Sequence, residues 1–212
     1  MKSVLTVVTP GTSVDLTILA NVKAELGITS TTEDANLETW IDQASGVITA
    51  ACNRVFAKET VEESFRVRVQ YGKQWPEPEK IILQRAPVTS ITSVVEDSTT
   101  LVRGTDYEID YDSGVLTRLS GDYETRWSFS TLVIRYVTGY DLLGELPIAI
   151  ERATISLVKS YRSAATRDPM LKSEEVPGVL TQTFWVGSVG DVLNGLPQDV
   201  ETLIAPYRNV AI

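Results

Sequence analysis

Residues 34–53 read DANLETWIDQASGVITAACN, and this stretch decides the class of the fold. Hydroxyl residues and acids at 30–34 are typical of a helix start, because they cap free backbone N–H groups and complement the helix dipole. The apolar residues that follow recur three or four positions apart and share one side of a helix. They are Leu37, Trp40, Ile41, Ala44, Ile48, Ala51 and Cys52. The pattern predicts a long helix that ends near Asn53.

A shorter helix is predicted on the N-terminal side, over residues 14–27. Its apolar positions are also three or four residues apart: Leu16, Leu19, Val22 (or Lys23) and Leu26. Asp15 or Ser13 can cap its start, and Gly27 can end it, because glycine readily adopts the left-handed conformation found at helix ends. The two helices are expected to form a hairpin with one shared apolar side.

The hydrophobic period changes to two on the C-terminal side of Arg54. Residues 65–71 read FRVRVQY, an alternation that is typical of a half-buried strand. Further strand patterns begin at Lys80, Ser90, Tyr107 and Val115. The run WSFSTLVIRYV at 127–137 is apolar on both faces, which is typical of a central strand. Residues 56–140 are therefore expected to form a small antiparallel β-sheet subdomain.

Helical periodicity returns at Pro147, a favoured first residue of helices. The buried side of this third helix is marked by Ile150, Ala153, Leu157, Val158 and Tyr161. The sequence therefore predicts an α+β fold. Its core is a three-helix bundle made from residues 1–55 and 141–170, and the sheet subdomain of residues 56–140 is inserted into that bundle.

Residues 171–212 have a different character. Apolar and aromatic side chains alternate with glycine and proline, so this stretch is too apolar for a solvated tail and too broken for a compact core. We expect an extended C-terminal arm whose apolar residues bind another chain, with a short terminal helix over 198–204. The alternative is a hairpin packed against its own domain.

Composition argues against most catalytic classes. The chain of 212 residues has no histidine, which removes histidine-activated nucleophiles and imidazole zinc sites. Cys52 is its one cysteine, so an internal disulfide is excluded, and this fits a protein made in a reducing cytoplasm. No apolar run approaches the ~20 residues of a membrane span, and no signal-peptide core is expected at the N-terminus.

The charge distribution argues against binding to nucleic acid. The net charge is −9, and basic and acidic residues number 3 and 6 in residues 1–55, 10 and 13 in 56–140, and 6 and 9 in 141–212. This even spread leaves no basic face for a phosphate backbone. Basic residues lie near aromatic ones at 66–71 and 126–135, but nearby acids balance both groups.

Candidate chemical sites are weak throughout. The acidic run DYEIDYD at 106–112 is the best metal candidate, but it lacks the glycine spacing and the bidentate Glu of a calcium loop, and a solvated strand face explains it. Glu62 and Glu63 form a possible carboxylate pair, although neighbours on a strand point to opposite faces. Phosphate-binding glycine motifs and a nucleophile elbow are missing from the sequence. We therefore predict a protein that is not an enzyme and has no cofactor or metal.

A series of short motifs, in order and spacing, resembles the head-tail connector (adaptor, head-completion) proteins of long-tailed bacteriophages, a family also found in prophages and gene-transfer agents. The motifs are VDL at 14–16, ELGI at 25–28, AACNR at 50–54, LQRAPVTSI at 83–91, DYEID at 106–110, GVL at 114–116, IRYVTGY at 134–140, LP at 146–147, KSEEVPG at 172–178 and APYR at 205–208. The resemblance covers nearly the whole chain. The inserted sheet is larger than in the shorter family members, so their loop roles do not transfer.

The resemblance implies a structural subunit in the neck of a virion, made in the cytoplasm of a bacterial host. Such a subunit forms a ring, usually of twelve copies, which docks beneath the portal, extends the DNA channel and meets stopper, tail-terminator or tail proteins. DNA passes through the lumen without specific binding, and an acidic wall would let it slide. In similar connectors the C-terminal arm reaches the portal.

The arm corresponds here to residues 171–212. Its candidate contacts with the portal or a neighbouring subunit are Phe184, Trp185, Tyr207 and Arg208, because aromatic residues and arginine dominate interface energetics. The alternative for each residue is packing within its own chain. Two other functions stay open: a tail or baseplate component, and a histidine-free hydrolase that depends on carboxylates.

Overall fold

The computed structural model describes residues 3–66, 69–70, 73–74, 78–165, 173–176, 180–183 and 196–209. The chain divides into two compact units. The first, which we call the sheet unit, comprises Met1–Ser13 and Ala57–Asp141. The second, the helical unit, comprises Val14–Phe56 and Leu142–Ile212. Each unit is therefore built from two separate stretches of the chain.

The sheet unit contains a larger and a smaller antiparallel sheet. Its strands are β1 Ser3–Thr9, β2 Glu59–Arg66, β3 Val69–Gln70, β4 Lys73–Gln74, β5 Lys80–Ile82, β6 Val88–Glu96, β7 Thr99–Thr100, β8 Tyr107–Asp110, β9 Val115–Ser120, β10 Tyr123–Thr125 and β11 Thr131–Thr138. The larger sheet has the order β1-β2-β11-β6-β7. In the smaller sheet, β9 pairs with β5, β8 and β10, and β3 and β4 form a separate two-stranded pair.

One apolar core holds the sheet unit together. Strand β11 lies in the middle of the larger sheet, as its run of apolar residues predicts, and Trp127 just before it is fully buried. The Trp127 ring meets Phe129 edge to face, with ring centroids 6.4 Å apart. The core consists of Val61, Phe65, Ile81, Leu83, Val88, Val94, Leu101, Tyr107, Leu116, Trp127, Phe129, Leu132, Ile134 and Tyr136. Both sheets contribute to it.

The helical unit contains α1 Leu19–Leu26, α2 Asp34–Cys52, α3 Ile148–Ala165 and α4 Gln198–Ile204. Helix α3 packs against the other three helices, and α1 also packs against α2. Gly27 ends α1 with φ of 65°, a left-handed conformation that favours glycine. A hairpin of β12 Ser173–Val176 and β13 Leu180–Thr183 lies in the same part of the chain. Among the residues that the structure describes, no helix is long and apolar enough to span a membrane.

The mixed α+β class agrees with the sequence analysis, but the helical part differs from the expected three-helix bundle because α4 belongs to it. Val200 and Ile204 of α4 are fully buried, as is nearly all of Leu196 before it. The described end of the chain is therefore packed on its own unit, whereas an arm was expected over the whole of 171–212.

Two boundaries also differ from expectation. Residues 3–9, expected in the helical core, form β1 of the larger sheet. Helix α1 begins at Leu19, later than position 14, because the backbone N–H of Leu16 donates to Ser45 Oγ at 2.9 Å and the Leu16 side chain is buried before the helix starts. These tertiary contacts outweigh the local helical pattern.

Candidate functional site

The four candidate partner contacts fall into two groups. Phe184 and Trp185 lie outside the described residues. Tyr207 is half-buried at the end of the 3₁₀ turn Ala205–Tyr207. Arg208 is also half-buried, and its guanidinium forms an ion pair of 2.8 Å with Glu201 of α4. Arg208 thus already has an ion-pair partner inside its own unit.

The chain end is bound to the C-terminus of α2. The backbone N–H of Asn209 donates to the carbonyl oxygen of Cys52 at 2.8 Å, so it satisfies one of the carbonyls that a helix end leaves open. Cys52 itself is fully buried, and burial raises the pKa of its thiol to about 11, although the nearby Arg208 charge opposes this shift. The thiol is therefore a neutral core group, as the sequence analysis expected.

We expect the thiol of Cys52 to react with maleimides only when the helical unit opens. With a pKa of about 11, its thiolate fraction near neutral pH is about a hundredfold below that of an ordinary cysteine. The measurement is the labelling rate, followed by mass spectrometry with increasing urea. The matched control is Val47→Cys on the exposed side of α2, which should react at once. Equal rates at both positions would contradict the burial of Cys52.

The acidic run at 106–112 serves local turns. Asp106 accepts a hydrogen bond from the backbone N–H of Val102 at 2.8 Å. Asp110 accepts one from the Ser113 hydroxyl at 2.5 Å, and this bond lowers the pKa of the Asp110 carboxyl. Among the described residues, no group of three or more His, Cys, Asp or Glu side chains is arranged to hold a metal ion.

Two of the basic residues near aromatic ones, Arg126 and Arg135, are paired with acids. Arg126 forms an ion pair of 2.8 Å with Glu79, and Arg135 forms one of 2.7 Å with Glu62. Trp127 is fully buried, so its ring is closed to a nucleobase. This geometry supports solvated ion pairs on a sheet surface rather than stacking on nucleic acid.

A shallow depression of about 420 Å³ on the sheet unit is lined by charges of both signs. Arg118 occupies it and forms an ion pair of 3.0 Å with Glu96. Its guanidinium also donates to the carbonyl oxygens of Asp106 and Leu119, at 2.6 Å and 2.9 Å. Arg126, which also lines the depression, is paired with Glu79, so both guanidinium groups already have partners within the sheet unit. The depression is the place where Glu96 of the larger sheet meets Arg118 of the smaller sheet.

A buried polar network on β2 is the feature that sequence reasoning missed. Neighbours on β2 do point apart, as expected: Glu62 faces outward to Arg135, while Glu63 is fully buried. The Glu63 carboxylate accepts hydrogen bonds from the Ser3 hydroxyl, the Tyr136 hydroxyl (3.0 Å) and the backbone N–H of Gln84 (3.1 Å). It thereby ties β1, β11 and the β5–β6 connection to β2.

Two further ionisable groups, Arg85 and Glu59, lie in this buried region with Tyr136. Burial raises the pKa of the Tyr136 hydroxyl, and the charge of Glu63 raises it further. Arg85, in the same connection as Gln84, forms an ion pair with Glu59 of β2, which is 7% exposed. Burial lowers the pKa of Arg85. Because every ionisable group here meets a partner inside the unit, the network is suited to holding strands in place.

The exposed apolar residues are the remaining candidate surface. In the sheet unit, Val4, Val7 and Val8 of β1 are 69%, 41% and 45% exposed. In the helical unit, Ile18 and Ile148 are exposed near Glu151, which accepts hydrogen bonds from Thr17 and Asn21. Exposed apolar residues that cluster on one surface are typical of protein–protein contacts.

The described residues thus present paired surface charges, a buried network that holds strands together and exposed apolar side chains. A family model described as "Head completion protein" matches residues 15–210, which is most of the chain. The chain belongs to the head completion protein family, and within it the chain is a structural head–tail connector. No curated protein matches the chain.

Several solved structures share the fold. One is the "Neck of empty GTA particle computed with C6 symmetry", at 17% identity and a TM-score of 0.56, covering 99% of this chain and 97% of that one. Another is the "Neck of native GTA particle computed with C12 symmetry", at 16% identity and a TM-score of 0.54, with the same coverage. A third is the "Virion of native gene transfer agent (GTA) particle", at 16% identity and a TM-score of 0.56, covering 98% and 96%.

Proposed function

We propose that this chain is one subunit of a ring in the virion neck, which docks under the portal, extends the DNA channel and joins the capsid to stopper or tail proteins. The family match over residues 15–210 carries the proposal. The similarity of fold to neck structures with C6 and C12 symmetry supports a cyclic assembly, with twelve copies as the expected number. The role is structural and non-enzymatic.

The charge of the chain suits a channel wall. The net charge is −9, and the basic residues Arg126 and Arg135 of the sheet surface are paired with acids. Such a surface repels a phosphate backbone, so DNA passes without binding. The proposal therefore includes passage of DNA through the lumen and no specific recognition of its sequence.

The arm is proposed to supply the contacts with the portal or with the neighbouring subunit. Phe184 and Trp185 are its aromatic residues, and Tyr207 and Arg208 lie in the described end of the chain, which packs on its own helical unit. Because Arg208 already pairs with Glu201, we assign the larger share of the binding energy to the aromatic residues.

Negative-stain imaging of the protein mixed with purified portal from the same genome tests the function. A second ring stacked coaxially on the portal is the expected result. Clean portal rings at saturating concentrations of this chain would contradict the connector role, and a tail-tube partner found instead would favour a tail component.

We expect Trp185→Ala to weaken binding to the portal by about thirtyfold, because a buried interface aromatic contributes about 2 kcal/mol. Tyr123→Ala is the control, since Tyr123 is 79% exposed on β10 of the sheet unit. The measurement is the affinity of each variant for immobilised portal. Equal affinity of the two variants would show that Trp185 is not part of the portal interface.

A further inference from the structure

The larger sheet has two edge strands of very different character. Strand β7 at one edge has two residues, and such shortness protects an edge from unwanted pairing. Strand β1 at the other edge has seven residues, SVLTVVT, with neither a charge nor a proline among them. Natural proteins usually protect long edges by charge, proline or cover. An unprotected edge of this length is therefore expected to have a partner.

Strand β1 is held firmly from its inner side. It pairs with β2 from Ser3 opposite Phe65 to Val7 opposite Val61, and the register shifts only beyond Val7. The Leu5 side chain packs against the apolar core. The pairing is thus regular over five residues, and among the described residues no strand pairs with the outer side of β1.

The β12–β13 hairpin, in turn, has no third strand among the described residues. Its strands have four residues each, and within the described part of the chain they pair only with each other. An isolated two-stranded hairpin is marginally stable in water and becomes stable when a third strand is added. Four residues also fit within the regularly paired part of β1.

We propose that the β12–β13 hairpin of one copy adds to the outer edge of β1 in a neighbouring copy. This inference rests on the proposed ring. Each copy donates a hairpin and receives one at a different surface, and head-to-tail contacts of this kind form a ring when the rotation between copies closes. Backbone hydrogen bonds supply affinity, as in other cases of strand addition. The hairpin carries Glu174 and Glu175, and the uncharged β1 edge accepts it without repulsion.

Cross-linking of rings docked on the portal tests the inference. Thr6→Cys is combined with Glu174→Cys in one variant and with Gln182→Cys in another, so that either strand of the hairpin can react. A short bis-maleimide links the pairs, and the buried Cys52 does not compete. We expect a ladder of covalent oligomers above the dimer from at least one double variant, and monomers from each single variant.

The other outcomes overturn the inference in distinguishable ways. Rings without a ladder contradict the hairpin contact and leave the proposed function intact. Dimers from Thr6→Cys alone would show two β1 edges in contact, and internally linked monomers would show the hairpin on its own β1. Failure of the unmodified protein to form any ring on the portal would instead contradict the proposed function.

A charge variant gives a second readout. Val4→Glu places an acid on β1 near the acidic hairpin, and like charges on adjacent strands repel. We expect about a tenfold higher concentration for half-maximal ring formation, with an unchanged melting temperature. Val102→Glu is the matched control, because Val102 is 59% exposed in the same unit and lies off the edge. Equal assembly by both variants would contradict the inference.

Discussion

Glu63→Ala is expected to lower the free energy of unfolding of the sheet unit by about 2–5 kcal/mol, because each buried donor left unpaired costs about 1–3 kcal/mol. The donors concerned are the Tyr136 hydroxyl and the backbone N–H of Gln84, and the Ser3 hydroxyl also loses its acceptor. Urea unfolding followed by circular dichroism measures the loss. Hydrogen exchange over Ser3–Thr9 should accelerate at the same time, because β1 loses one of its attachments.

Two variants make this test specific. Glu62→Ala removes the neighbouring carboxylate, whose ion pair with Arg135 is on the exposed side of the sheet, so it should cost about 0–1 kcal/mol. Tyr136→Phe keeps the ring and removes one donor to a charged acceptor, so we expect a loss of about 1.5–3 kcal/mol. If Glu62→Ala and Glu63→Ala proved equally destabilising, the carboxylate of Glu63 would not be the centre of a buried network.

Ile204→Ala is expected to destabilise the helical unit by about 2–5 kcal/mol, because the side chain is fully buried and its truncation leaves a cavity. Thermal and urea unfolding of the full chain measure the effect. Labelling of Cys52 offers a local readout, because Asn209 beyond α4 donates its backbone N–H to the Cys52 carbonyl. Faster labelling is expected in the variant.

The matched control is Ile148→Ala in the same unit. Ile148 is 74% exposed, so the same truncation should change stability by at most about 0.5 kcal/mol. The comparison also decides how the C-terminus behaves in solution. A stability unchanged by Ile204→Ala would mean that α4 is a detached part of the arm.

The outcome for individual elements shows where sequence reasoning succeeds. Helix α2 was expected over 34–53 and spans Asp34–Cys52, and α3 begins at Ile148, directly after the predicted start at Pro147. Both carry several turns of regular periodicity, and helical hydrogen bonds join residues close in sequence. For such helices, the local sequence pattern is enough to predict the element and its ends.

Strand β2 shows what the sequence pattern misses. The alternation at 65–71 predicts a strand, and its described residues do lie in β2 and β3, but β2 begins at Glu59, six residues before the alternation. Its buried face carries Val61, Glu63 and Phe65, so a carboxylate stands where the pattern requires an apolar residue. Glu63 can be buried because Tyr136, 73 positions away, and Gln84, 21 positions away, donate to it. These partners are too far away in the sequence to be found from the pattern around Glu63.

By itself, the sequence determined the α+β class, the two long helices and the absence of histidine chemistry, and its ordered motifs pointed to the head–tail connectors. These properties depend on composition and on patterns among near neighbours. Three features came from tertiary contacts: β1 pairs with β2, Glu63 is buried, and α4 packs against α3. The physical reason is that strand pairing and burial depend on distant partners, and the pattern of one segment does not specify which surface will cover it.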